Sequence, residues 1–321
     1  MAKNHSYKFC FGPWNISEGG DPYGPPTRPP QTFDWKLTQL KKLGFDAMMF
    51  HDDDAVPEID GKSDQQIRKE ARELKKRLDG DGIVAEMVAP RLWFSPMTID
   101  GAYTSNDPKC RRYAIERSLR CIDIANVLDT DLIVLWLARE GSYLRESKNA
   151  RRCVDYLVEA VDKMLAHDKK ARIAIEPKPN EPMDIAYIPT IGHALAIAQL
   201  TSDPKRVGSL IESAHALLAG LDPADEIDFA CAFGKLWSLH LNDQNGLKFD
   251  QDKPFASHNL LVTKVYMGAW FWNIINLSNT ILYRRAVQEK RGVGDRGIFK
   301  LMYKGYGKFL TVKKIGLPSI V

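Results

Sequence analysis

Glu176 and Lys178 close the run RIAIEPK, two residues apart. At the strand period of two both side chains point to one side, so a carboxylate and an ammonium share one opening. The pair reads either as a plain ion pair or as a metal-ligating carboxylate beside a cation that polarises a substrate oxygen. In IESAH, Glu212 and His215 are three apart, which lets both grip one metal ion if the turn is helical. The same spacing is common on a solvated helix. Asp250 and Asp252, in GLKFDQDKP, offer two hard oxygens to Mg2+ or Mn2+, or else form a solvated turn. His51 opens HDDD, where Asp54 can hold its tautomer and raise its basicity; the bland alternative is a hydrogen-bonded core histidine. Trp14, Trp93 and Trp136 read as core aromatics or as a water-excluding wall. Gathered in one cleft, Glu176, Glu212, Asp250, Asp252 and Asp54 would repel one another, and two divalent cations would remove that repulsion.

These residues can converge only if the chain brings strand ends together. Seven stretches read as strands: 7–14, 47–53, 83–90, 132–138, 172–178, 207–213 and 236–242. Thr32 is placed to cap a helix closed by Gly44, and Ser63 with Gln66 forms a capping box. Asp107-Pro108 opens a helix to about Val127, and another spans roughly 150–167. Alternating β and α elements imply parallel strands with right-handed crossovers. Trp14, His51, Trp136, Glu176, Glu212 and His240 all lie at or near the C-terminal end of a strand. A doubly wound sheet needs one or two such ends at its switch point, whereas a barrel gathers all of them at one mouth. Nor is FGPWNIS a Gly-rich phosphate turn, so no nucleotide cofactor is expected. The reading is α/β, a (β/α)8 TIM-type barrel, with no eighth strand evident.

Hydrophobic residues make up 44% of the 321 and charged ones 27%, ordinary globular usage that excludes a disordered or collagen-like chain. Apolar runs are too short to span a membrane, and the N-terminus shows no signal peptide, so no membrane partner is expected. The cysteines, at 10, 110, 121, 153 and 231, fit reduced thiols, and the expected location is cytoplasmic. Net charge is +4, but residues 263–321 hold 11 Lys+Arg against two acids. The rest of the chain is net acidic, which argues against nucleic acid as a partner. The expected organisation is a catalytic barrel over 1–262 followed by a basic tail over 263–321.

Taken together the stretches YKFCFGPWN, FHDDDAVP, WLAREG, IAIEPKPNEP, ESAHALLAGL and LHLNDQNGLKFDQD resemble xylose isomerase, in order and spacing, from about residue 7 to residue 260. The resemblance implies a metal-dependent interconversion of D-xylose and D-xylulose, with glucose and fructose as further candidates, by a hydride shift between C2 and C1 assisted by two divalent cations (Mg2+, Mn2+ or Co2+). His51 would assist ring opening, held by Asp54, and Lys178 would bind the carbonyl oxygen of the open sugar. One metal site would use Glu176, Glu212 and His240, the last standing where the family usually has Asp. The other would use Glu212, His215, Asp250 and Asp252. Trp14, Trp93 and Trp136 would line the pocket, and Tyr23 would enter it from a neighbouring subunit of a homotetramer. The tail matches neither the family's last metal ligand nor its subunit-binding arm. Two competing readings follow: an inactive sugar- or metal-binding remnant, and a metal-dependent phosphodiesterase on the same barrel.

Overall fold

Apolar β-branched runs such as LIVLW and RIAIE are buried on both faces, as strands between a packed interior and a helical layer must be. The computed structural model of the chain describes residues 10–16, 23, 25–247, 249–253 and 258. The tail and any eighth strand lie outside the described residues. The strands are β1 (Cys10–Phe11), β2 (Ala47–His51), β3 (Val84–Ala89), β4 (Leu132–Trp136), β5 (Gly141–Ser142), β6 (Arg172–Glu176), β7 (Ile185–Ala186), β8 (Val207–Glu212) and β9 (Leu236–His240). Seven of them form one sheet in the order β1-β2-β3-β4-β6-β8-β9, parallel throughout. Each lies within one of the seven stretches expected from the sequence. Strands β5 and β7 form a separate antiparallel pair above the sheet's C-terminal ends, which the sequence does not announce.

The helices are α1 (Phe33–Lys42), α2 (Asp52–Ala55), α3 (Asp64–Asp81), α4 (Pro108–Val127), α5 (Ala150–His167), α6 (Ile191–Leu200), α7 (Ser213–Leu218) and α8 (Pro223–Ala232). Their starts are chemically marked. The Thr32 hydroxyl accepts from the Trp35 N–H at 3.2 Å, Ser63 and Gln66 form the capping box, and Asp107 caps α4 with Pro108 at its first turn. Expected strand ends are corrected: the stretch read as 7–14 forms a 3-10 turn at Pro13–Asn15 after β1 ends at Phe11, and Ser213 of 207–213 already belongs to α7. The strand read as 47–53 stops at His51, because Asp52–Ala55 turns into helix with His51 as its N-cap and the Asp54 carboxylate accepts the His51 N–H at 3.0 Å. Aspartates favour a helix's first turn, where their charge meets the unpaired N–H groups.

The sheet curls. Met49, Met87, Val134, Ala174 and Leu210, from successive strands, form one buried cluster against which Cys10 of β1 and Trp237 of β9 also pack. Side chains from the first and last strand of a flat sheet could not meet. The opposite face, with Phe50, Val88, Ile133, Ile175 and Ile211, packs on Leu37, Ile67, Ile122, Leu157 and Ile197 of the helices. Among the described residues β1 and β9 are not paired. The curl converges the C-terminal ends of the strands, and the polar residues read from the sequence meet there.

Candidate active site

Glu176, at the end of β6, is 3% exposed and faces the ends of β8 and β9. Its Oε1 lies 3.7 Å from Nδ1 of His240 and 3.5 Å from Nδ1 of His215. Glu212, the N-cap of α7, sends Oε1 to Nε2 of His215 at 3.1 Å and Oε2 towards Nδ1 of His240 at 3.7 Å. The helical turn of α7 is what lets a three-residue spacing bring this carboxylate and imidazole together. Asp250 adds Oδ2, 3.1 Å from Nε2 of His215. Two sets of ligand atoms result, Glu176–Glu212–His240 and Glu212–His215–Asp250, each with atoms within 4.8 Å of one another. Glu212 belongs to both.

The donors are of the type that holds divalent cations, carboxylate oxygen with imidazole nitrogen. His215 Nδ1, His240 Nε2 and Asp250 Oδ1 are buried with no hydrogen-bond partner, a cost that a bound ion relieves. Charge tells the same story. Burial lowers both imidazole values, but Glu212 and Asp250 hold His215 up to about 9, and Glu176 and Glu212 hold His240 up to about 10. Both imidazoles thus hold a proton strongly, and a metal ion binding at these atoms must compete with it.

Asp252 does not join either set. It is exposed, and its Oδ1 accepts from Nδ2 of Asn242 at 2.7 Å, the same amide that reaches Glu212 Oε1 at 2.7 Å. Asn242 also accepts the Ala214 N–H at 2.9 Å, tying the start of α7 to the end of β9. The EPKPNEP segment grips the FDQD loop from the other side. Lys178 donates to Oδ2 of Asp250 at 2.5 Å, and Glu181 Oε2 accepts the Asp250 N–H at 2.7 Å. Although buried, Asp250 lies well below the usual carboxylate range because His215 and Lys178 neighbour it.

His51 occupies the opposite side of the mouth, 7% exposed. Its ring lies between Trp14 (centroids 4.2 Å) and Trp93 (5.1 Å). Trp136 meets Trp93 at 4.4 Å and stacks over His215 at 6.4 Å, so Trp93 and Trp136 bridge from His51 to the carboxylate cluster, with Trp14 on the other side of the imidazole. Tyr23 stacks on Trp136 of its own chain at 6.2 Å, and its hydroxyl reaches the Glu181 carbonyl. The family resemblance implies a neighbouring subunit's pocket for it instead. Nδ1 of His51 lies 2.9 Å from Asp54 Oδ2, the partner read from HDDD.

Sequence reasoning missed three supports of the site. Arg91, just past β3, places Nη2 against His51 Nδ1 and 3.0 Å from both Asp54 oxygens. Arg117 of α4 holds Asp52 by two hydrogen bonds, 2.7 and 2.9 Å. Glu140 accepts the backbone N–H groups of Ala102, Tyr103 and Thr104, fixing the loop behind Trp93. None carries a local signal, although Arg91 in APRLW stands two residues past a strand end, and a polar residue there warrants the same suspicion as Lys178.

A family model described as xylose isomerase-like TIM barrel matches residues 37–263. Xylose isomerase from Thermus thermophilus is 36% identical over 259 residues, 79% of this chain, and the match spans 66% of that protein's length, just under two thirds. Among solved structures, a D-tagatose 3-epimerase-like protein superposes with a TM-score of 0.60 at 14% identity, covering 97% of this chain and all of the other. The IolI protein with a bound zinc atom gives 0.57 at 15% identity, covering 82% and 85%. At such identities the last two likenesses are of fold.

Proposed function

Because the chain belongs to the xylose isomerase-like TIM barrel family, we propose that it is a divalent-metal-dependent aldose–ketose isomerase that interconverts D-xylose and D-xylulose. The observation that carries the reading is the pair of ligand sets sharing Glu212, joined to His51 by an aromatic row of Trp93 and Trp136 with Trp14 beyond the imidazole. Aldose-to-ketose conversion moves a hydride from C2 to C1 and a proton from O2 to O1, so no external reductant is needed. Glu176, Glu212 and His240 would hold one cation, and Glu212, His215 and Asp250 the other, with Asp252 at the rim. Bound there, the cations would supply Lewis-acid polarisation of the sugar oxygens. The protein's own side chains do the rest. His51 is neutral and serves as the base that takes the anomeric hydroxyl proton during ring opening. Lys178 has three donors, one engaged by Asp250, and offers another to the carbonyl oxygen of the open chain. The tryptophans pack on the sugar's C–H faces and exclude water from the shifting hydride.

Of the described cations at the mouth, Arg91 and Lys178 are engaged with carboxylates, and Arg139 with the Trp93 carbonyl and the Tyr23 ring. That favours a neutral polyol over a phosphodiester. The same reading assigns the barrel to 1–262 and leaves 263–321 as a separate basic tail, and it carries over the homotetramer and a cytoplasmic setting. The test is conversion of D-xylose to D-xylulose by purified protein with Mg2+, Mn2+ and Co2+ in turn. Turnover with at least one metal is expected. Metal binding without turnover would instead mark an inactive remnant, and a C3-epimerised ketose as product would move the enzyme to another reaction.

A further inference from the structure

Arg91 is the feature of the mouth that neither the ligand sets nor the aromatic wall accounts for. Its guanidinium spans the N-terminal turn of α2, with Nη1 3.2 Å from Asp53 and Nη2 3.0 Å from Asp54, and Nη2 also rests against Nδ1 of His51. Its backbone is anchored too. The Arg91 N–H donates to Asp52 Oδ1 at 3.0 Å, and Asp52 is in turn clamped by Arg117, which reaches Asp53 and Asp60 as well. The imidazole is thus held by a stack of fixed charges running from α4 through α2 to the end of β3.

We propose that Arg91 is a positioning residue for His51, fixing the ring against Asp54 and, as an adjacent cation, opposing its protonation. The role in ring opening rests on the isomerase reading above; the effect on the imidazole does not. The charged groups facing the ring are Asp52 and Asp54 of α2 and Arg91, with Asp53 and Arg117 one step behind; the flanking Trp14 and Trp93 carry no charge. Burial and the Arg91 charge act in one direction, depressing His51 below its ordinary value, while Asp54 and Asp52 pull the other way. A carboxylate partner alone would make this histidine a cation near neutrality, useless as a proton acceptor. Arg91 leaves Asp54 free to orient the ring without charging it.

The test reads the ring directly. Histidine-labelled full-length protein with Mg2+ is titrated by NMR, and the His51 signal is assigned by its loss in His51→Gln. In the unmodified protein the His51 midpoint is expected below the ordinary ~6.5. Arg91→Gln is expected to raise it by roughly one pH unit, a tenfold change in proton affinity, and Arg91→Lys, which keeps a cation, to restore most of the depression. In kinetics, the acid limb of kcat/KM for D-xylose should move up by the same amount in Arg91→Gln. A midpoint at or above ~6.5 in the unmodified protein overturns the proposal even if Arg91→Gln fails to fold. So does an unchanged midpoint in a folded Arg91→Gln. Absent isomerase activity with the expected titrations would refute the functional reading and leave the Arg91 assignment intact.

Discussion

Lys178 and Asp250, 72 positions apart in sequence, form an ion pair at 2.5 Å with both side chains almost fully buried. The pair fastens the strand end carrying Glu176 to the loop that supplies a carboxylate of the second ligand set. Breaking a buried pair by removing one partner is costly because the other charge stays in a poorly solvated site.

Lys178→Met is therefore expected to destabilise the metal-free protein by about 3 kcal/mol, the low end of the usual range, since His215 still faces Asp250. Replacing both partners by apolar residues, Lys178→Met with Asp250→Leu, should recover part of the loss. Urea denaturation in EDTA measures both, and an unchanged midpoint in the single variant would show the pair to be energetically neutral.

Titration with Mn2+ by calorimetry should resolve two sites of unequal strength. Glu212→Gln is expected to weaken both, each by roughly a hundredfold or about 2.7 kcal/mol, because its carboxylate is shared. His240→Ala should weaken one alone. Asp252→Asn should stay within tenfold of the parent, since Asp252 belongs to neither ligand set and its hydrogen bond goes to Asn242. Equal losses in Glu212→Gln and Asp252→Asn would reverse that ranking. The imidazole donor at His240 should favour Mn2+ or Co2+ over Mg2+.

Dialysis against EDTA should abolish turnover, and readdition of metal should restore it. The same readdition should raise Tm, because an ion bound only by the folded state stabilises it by about 2.7 kcal/mol at a hundred times Kd. Full activity in the metal-free protein would refute the assigned role of the carboxylate–histidine cluster.

His51→Asn should lower turnover of the cyclic sugar by ~10²–10⁴-fold, the usual worth of a positioned base. Single-turnover rates on ring-opened substrate should remain near normal. Equal losses on both forms would place His51 in the hydride step instead.

Burial and Arg91 lower the proton affinity of His51 in the folded protein, so below about 6.5 the unfolded chain binds the extra proton first. Stability from this group is complete above that value and is lost as pH falls below it towards the lower folded-state value. Asp53 opposes the trend. Burial lifts it to about 6, so the folded state gains protons from it over the same range. Comparison with His51→Asn separates the two. Between pH 7.5 and 5.5 the parent should lose more stability than the variant, and parallel losses would show that His51 titrates normally.

The residues of the ligand sets are legible in the sequence itself because βα repeats confine chemistry to strand ends. Glu176, Glu212 and His240 end successive strands, and His215 follows Glu212 at helical spacing. Local periodicity also locates the seven sheet strands and the caps of α1, α3 and α4. What the sequence hides are partnerships between distant segments. Arg91 with Asp54, Arg117 with Asp52, Lys178 with Asp250, and Asn242 with Glu212 join side chains 30 to 72 residues apart. Each forms only because the curled sheet swings its loops onto one mouth, and no spacing along the chain encodes that approach. The type of each side chain is enough to nominate candidate metal ligands, Asp252 among them, but not to sort them into the two sets, which Asp252 does not join. Which carboxylate faces a cation, which an amide and which an imidazole is decided by the tertiary structure, because electrostatic partners are chosen by distance in space and by shared burial.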